Sequence, residues 1–228
     1  MVKIQMKSMN KHVEDTRNQI SNTIQILSGC GLTRVTKDIV LTQNHNEAIL
    51  TWDNHIPGRH NAGKSFTTLN QYISIYETGA YHCILFDGSI IRTYFKFSKN
   101  ILLQESLLYW PAPLNIPEDE VDELGIREAI SMSFSDQGLR DERSSMRSPV
   151  RFDFDPSKSN ENHPETHIHI QHANCRISAR RPICFNTFVK FIFKNFYPDI
   201  YPVILDDLHP LNYSGYNICE KAVVCLYE

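Results

Sequence analysis

The stretch that decides the fold is VRFDFDPSKSNENHPETHIHIQ, residues 150–171. It contains two runs that alternate between apolar and polar residues, Val150–Asp155 and Thr166–Gln171, joined by a polar connection. Successive side chains of a strand point to opposite faces of a sheet, so each run predicts one strand. If the two strands pair, Phe152 and Phe154 share a face with Ile168 and Ile170.

The opposite face of this strand pair collects ionisable side chains. They are Arg151, Asp153, Asp155, His167 and His169. Asp153, His167 and His169 are donors that could hold a divalent metal such as Mg²⁺ or Mn²⁺, which would activate a water molecule. Alternatively, a histidine could act as general acid and base while Asp153 orients it and Arg151 neutralises an anion.

Two further interpretations of this face involve no catalysis. The same groups could grip an anionic ligand without reaction. They could also be ordinary cross-strand pairs on the solvated face of an antiparallel sheet. His163, just before the second strand, could join the site or lie in the connection.

A helix is predicted after the strand pair, over Pro182–Phe196, and its apolar side can cover the Phe and Ile residues. The segment CRISARRP precedes it and supplies Arg176, Arg180 and Arg181. Free N–H groups at a helix start favour anions, so these three arginines predict an anion or nucleic-acid contact. A solvated basic loop is the alternative.

The remaining chain predicts one α+β domain over residues 1–228, mainly an antiparallel sheet with flanking helices. Asp87-Gly88 between two β-rich runs is a strong hairpin signal. An N-terminal helix is expected over 10–28, a helical region over Glu118–Met132 with a break at Gly125, a flexible polar loop over 133–148, and the motif block over 150–198. Further strands are expected at Ile39–Leu41, Ala48–Trp52, Leu102–Trp110 and Ala222–Tyr227, a helix at Thr67–Tyr76, and an extended segment at Tyr201–Leu205.

Composition limits the functional classes. The formal net charge is −3, so a nucleic-acid site would have to be a local patch. The six cysteines form no CxxC pair and predict buried thiols in place of disulfides or a zinc site. No stretch has the apolar length of a membrane span, and the expected location is the cytoplasm, with no membrane partner.

The segment GRHNAGKS, Gly58–Ser65, formally matches a phosphate-binding loop. That loop requires a buried hydrophobic strand before it, whereas Thr51–Pro57 is polar and ends in proline. The match is interpreted as chance, so no nucleotide cofactor is expected.

VRFDFDP, HPETHIHI, CRI and the following F-x-x-F-I-F-K-N-F-Y-P segment resemble a bacterial domain-of-unknown-function family, the one numbered twenty-two ninety. FDGSIIR and LLYWPAP are similar to its middle section. The resemblance implies a component of a phage-defence cassette, encoded beside a helicase. The matching residues are Arg151, Asp153, His163, His167, His169, Cys175 and Arg176.

Three functional hypotheses follow. The first is an accessory or effector subunit of a bacterial antiviral defence system that acts with a helicase and contacts DNA or RNA. The second is a metal-dependent or histidine-based nuclease or phosphodiesterase centred on Asp153, His167 and His169. The third is a non-catalytic protein-interaction module that docks through the polar strand face.

Overall fold

A computed structural model describes residues 11–55, 68–172 and 174–226. Its centre is an open nine-stranded sheet in which every ladder is antiparallel. The strands are β1 (Thr33–Thr36), β2 (Val40–Gln43), β3 (Glu47–Thr51), β4 (Cys83–Leu85), β5 (Ile90–Ser98), β6 (Ile101–Trp110), β7 (Val150–Phe154), β8 (Thr166–Ile170) and β9 (Ile177–Ser178). Their order is β1-β4-β5-β6-β7-β8-β9, and the β2–β3 hairpin pairs with the far end of β5. This confirms the predicted single α+β domain.

Helices cover both faces of the sheet. They are α1 (Lys11–Gly29), α2 (Leu69–Thr78), α3 (Glu118–Leu124), α4 (Ile126–Ser135), α5 (Gln137–Arg143) and α6 (Phe185–Phe196). Short 3₁₀ turns lie at Pro156–Lys158, Pro198–Ile200 and Val203–Asp207. Helices α1 and α6 pack on one face, and α2, α3 and α4 contribute to a second apolar cluster on the other. None of the helices in the described ranges combines the length and apolarity needed to cross a membrane.

The strand pair at residues 150–171 forms as predicted. β7 and β8 are antiparallel, and Arg151 lies opposite His169 while Asp153 lies opposite His167. The ring of Phe152 packs edge-on against Phe188 of α6, with 5.8 Å between ring centroids. The apolar face therefore lies under α6, as the alternation indicated.

Other local predictions are also confirmed. The Asp87-Gly88 turn joins β4 to β5, and Gly88 adopts a φ of +88° that favours glycine. The expected N-terminal helix forms, and it buries Val13, Ile20, Ile24 and Leu27. Gly125 separates α3 from α4.

Several predictions were wrong. The polar segment 133–148, expected to be a flexible loop, contains the end of α4 and all of α5. Helix α6 begins at Phe185, not at Pro182. The segment Tyr201–Leu205, expected to be extended, includes part of a 3₁₀ turn. The strand expected at Ala222–Tyr227 is reduced to a single parallel bridge between Ala179 and Val224.

Two smaller expectations also failed. Ile170, assigned to the buried face, is exposed. All six cysteines are free thiols, but Cys83 and Cys184 alone are buried while Cys30 and Cys225 are exposed. The segment Gly58–Ser65, which formally matches a phosphate-binding loop, lies outside the described residues.

Candidate functional site

The ionisable face of β7 and β8 is buried, which the sequence did not predict. His167 is 1% exposed, His169 2% and Arg151 7%, which contradicts the interpretation of this face as an ordinary solvated one. The register aligns two rows of residues across four strands, and Leu108 is the aliphatic member between Arg92 and Arg151. One row runs Arg92–Leu108–Arg151–His169 and the other runs Tyr94–Ser106–Asp153–His167.

Asp153 is the hub of this cluster. Its Oδ2 accepts hydrogen bonds from Arg151 Nε at 2.8 Å and Nη2 at 2.6 Å, and lies 3.2 Å from His169 Nε2. Its Oδ1 accepts from Ser106 Oγ at 2.8 Å. Burial alone would raise the pKa of Asp153, but the Arg151 charge and the His169 hydrogen bond overcome this and hold the pKa well below its usual range. Asp153 is therefore ionised throughout the physiological range.

The two strand histidines face each other. Their Nε2 atoms are 3.0 Å apart, and their ring centroids 4.7 Å apart. His167 Nδ1 lies 2.8 Å from the carbonyl of Pro164, which only accepts, so Nδ1 carries the proton and Nε2 holds a lone pair. Burial lowers the pKa of His167 to about 4, despite the opposing effect of Asp153, so the ring is neutral near pH 7.

The cluster continues beyond the strands at His163 and Arg176. The His163 ring packs edge-on against His167, with 4.6 Å between centroids. Burial first, and then the nearby Arg176 charge, lower the pKa of His163. Of the three predicted arginines, Arg176 is therefore the one whose charge acts on this histidine cluster.

Arg180 and Arg181 occupy a different setting. Arg180 is exposed and its backbone joins Val224 and Cys219, while Arg181 is half-buried. The start of α6, which these residues were expected to flank as an anion site, is instead in the core. There the backbone N–H of Ile183 donates to the buried Glu105 Oε1 at 3.2 Å.

Arg92 is a site residue that the sequence analysis missed. It lies in β5, on the same face as Arg151 and Asp153, with its guanidinium carbon 4.5 Å from the ring centre of Trp52. A single arginine at an alternating position of the SIIRTYFKF strand was the available signal. Ser106 was also missed, because its role depends on lying opposite Asp153.

Asp153, His167 and His169 form a group that could hold a metal ion. One donor atom from each lies within 4.8 Å of the other two. Metal-bound histidines usually donate their second ring nitrogen to a carbonyl, and bound carboxylates are themselves hydrogen-bonded. His167 with Pro164, and Asp153 with Ser106 and Arg151, have these outer contacts.

Fold and site together define a single-domain α+β protein with a buried Arg–Asp–His cluster on its central sheet. The family model described as "Uncharacterized conserved protein (DUF2290)" matches residues 34–221, and the chain belongs to this family. No curated protein and no solved structure matches the chain.

Proposed function

We propose that the protein is a transition-metal-dependent phosphodiesterase acting on nucleic acid, with Asp153, His167 and His169 as the metal ligands. The observation that carries this proposal is the spacing of their donor atoms. His167 Nε2 and His169 Nε2 are 3.0 Å apart, and Asp153 Oδ2 is 3.2 Å from His169 Nε2.

Each of these two distances matches adjacent ligands of one ion, and the donor atoms of all three residues lie within 4.8 Å of one another. With metal–ligand bonds of about 2.1 Å, neighbouring donors lie about 3.0 Å apart in octahedral geometry and about 3.4 Å apart in tetrahedral geometry. Two histidines that act separately as acid and base must flank the reacting phosphate, and a 3.0 Å separation leaves no room for it. The geometry thus favours a shared metal over the histidine-based alternative.

The donor set also favours certain ions. Imidazole nitrogen suits Mn²⁺, Fe²⁺ and Zn²⁺, whereas Mg²⁺ prefers oxygen ligands. Of the two ions expected from the sequence, Mn²⁺ therefore fits better. Three protein ligands leave coordination positions for water, whose pKa a bound metal lowers.

The surrounding charge supports an anionic substrate. Arg151 is buried beside Asp153, Arg92 lies on the same face, and Arg176 borders His163. Arginine binds phosphate oxygens through several N–H groups and stabilises the charge that builds up during phosphoryl chemistry.

The test measures Mn²⁺ binding by isothermal titration and hydrolysis of single-stranded DNA, RNA and bis(4-nitrophenyl) phosphate. His169→Ala is expected to weaken Mn²⁺ binding by at least ~10-fold and to lower hydrolysis at least ~100-fold. His172→Ala is the matched control, because His172 is exposed and lies three positions further along the chain.

Two results would overturn the proposal. One is a wild-type protein that binds neither Mn²⁺ nor Zn²⁺. The other is a folded His169→Ala variant that cleaves as fast as the wild type. Folding of each variant is checked by circular dichroism and urea unfolding.

The wider setting is also a proposal. We propose that the protein acts as the effector subunit of an antiviral system in which a helicase delivers single strands to this site. The resemblance in residues 67–198 supports this partner. If a helicase is encoded beside this protein, co-expression and affinity purification should recover both proteins. Recovery of the tagged protein alone, or the absence of such a gene, would contradict this proposal.

A further inference from the structure

Arg92 is a buried cation on the same sheet face as the proposed metal ligands. It is 5% exposed, and within the described ranges its Nη1 has no hydrogen-bond partner. Burial first, and then the charge of Arg151, lower the pKa of Arg92 to about 10, so it is still charged at pH 7.

Positive charge exceeds negative charge around Arg92, although the Asp153 carboxylate partly offsets it. Its guanidinium and that of Arg151 are two positive groups, and the Arg151 hydrogen bonds already engage Asp153. Asp155, the next carboxylate on this face, is engaged by Lys158 at 2.6 Å. A buried charge with unmet donors costs several kcal/mol, and an anion that accepts from those donors removes that cost.

Contact with Trp52 does not meet this need. The indole face attracts the guanidinium at 4.5 Å, but a ring face does not accept a directional bond from the N–H at the guanidinium edge. The Trp52 ring restrains the position of the Arg92 guanidinium, and the planar guanidinium fork matches the geometry of phosphate oxygens.

We propose that Arg92 is a substrate-binding residue whose guanidinium holds the non-bridging oxygens of the phosphoryl group presented to the metal. This inference rests on the proposed function for the identity of the anion. It assigns Arg151 to the support of Asp153 and Arg92 to the substrate, which separates two arginines that face the same site.

The test uses inorganic phosphate as the probe, with and without Mn²⁺, in isothermal titrations of the full chain. Arg92→Met keeps the apolar stem against Trp52 and removes every N–H group. We expect phosphate affinity to fall at least ~10-fold in Arg92→Met while Mn²⁺ affinity stays within about twofold of wild type. Arg34→Met, the same change at a partly exposed arginine paired with Asp122, controls for net charge.

Hydrolysis gives a second readout. With bis(4-nitrophenyl) phosphate, Arg92→Met should raise KM or lower kcat/KM at least ~10-fold, and Arg92→Lys should recover part of the loss because it restores the charge but not the fork. If Arg92→Met does not fold, the phosphate affinity of Arg92→Lys decides, and a wild-type value there overturns the inference.

The outcomes separate this inference from the proposed function. A folded Arg92→Met that binds phosphate as the wild type does, or a wild type that binds no phosphate in either metal state, overturns the role of Arg92 and leaves the metal site standing. Phosphate binding that depends on Arg92 in a protein without Mn²⁺ or Zn²⁺ affinity supports Arg92 and overturns the metal-dependent function.

Discussion

Asp153→Asn tests whether the buried Arg–Asp pair holds the site together. Asparagine has nearly the same shape, so its carbonyl can still accept from Arg151, and its amide can donate to the Ser106 oxygen. The negative charge is what the substitution removes. The substitution leaves the positive charge of Arg151 without its carboxylate partner, and the Arg151 side chain is only 8% exposed.

The expected magnitude follows from that burial. Breaking a buried ion pair by removing one partner costs about 3–5 kcal/mol, and because the amide keeps some hydrogen bonds we expect a loss of about 2–4 kcal/mol. Asp122→Asn is the matched control, since it makes the same change in an Arg–Asp pair at the surface, where the Arg34 and Asp122 side chains are 32% and 60% exposed. An ion pair with such an exposed partner contributes about 1 kcal/mol or less.

The assay is urea unfolding at pH 7, followed by the fluorescence of the two buried tryptophans, Trp52 and Trp110. The pKa of Asp153 is held below its usual range, so its stabilisation is present above about pH 4 and fades only on further acidification. The Asp153→Asn deficit should therefore be constant from pH 8 to pH 5. Equal losses in the two variants, or a deficit that disappears by pH 5, would refute this account of the pair.

Three further predictions concern the rest of the structure. Burial raises the pKa of Glu105 well above its usual value, although the hydrogen bond from the Ile183 N–H opposes this shift. The folded protein is therefore favoured at low pH. It loses up to about 1.4 kcal/mol of stability per pH unit as the pH rises above 4.5 toward the raised pKa. Glu105→Gln should thus be more stable than wild type at pH 8 and similar to it at pH 4, as urea midpoints would show. Burial lowers the pKa of His82 to about 4, so acidification from pH 7.5 to pH 4.5 should cost about 2–3 kcal/mol that a folded His82→Asn variant does not lose. Phe188→Ala should destabilise the core by about 3–5 kcal/mol in the same assay without changing Mn²⁺ affinity, because its ring packs on the apolar face of β7; a loss under 1 kcal/mol would contradict this.

The strand pair was predictable because its evidence is local. Alternation assigns each residue of β7 and β8 to a face, and the segregation of Phe and Ile from Arg, Asp and His fixes which faces match. Arg151, Asp153, His167 and His169 therefore share one face, as expected, and the structure adds the register that places Arg151 opposite His169 and Asp153 opposite His167. The roles proposed for these residues remain predictions.

The errors arose where a distant contact overrode the local pattern. The Asp136 side chain caps the polar helix α5 by accepting a hydrogen bond from the Leu139 N–H. Arg143 Nη1 in α5 also donates to Glu120 in α3 at 2.7 Å. The start of α6 differs for a similar reason, since the Ile183 N–H is taken by Glu105 from β6. The Asp136 cap is a local signal that the sequence analysis did not use. Nothing in residues 133–148 or 182–185 reports the distant partners Glu120 and Glu105.

The sequence by itself determined the α+β class, the two strands β7 and β8 and the chemical identity of their faces, because the side-chain period of a strand is a local property. Only the tertiary structure decided that the ionisable face is buried and that it includes Arg92 and Ser106 from β5 and β6. Burial depends on what packs over a face, and sheet order depends on ladders between distant segments. Because the face is buried, the charges of Arg151, Asp153 and Arg92 must be compensated by one another or by a bound ligand.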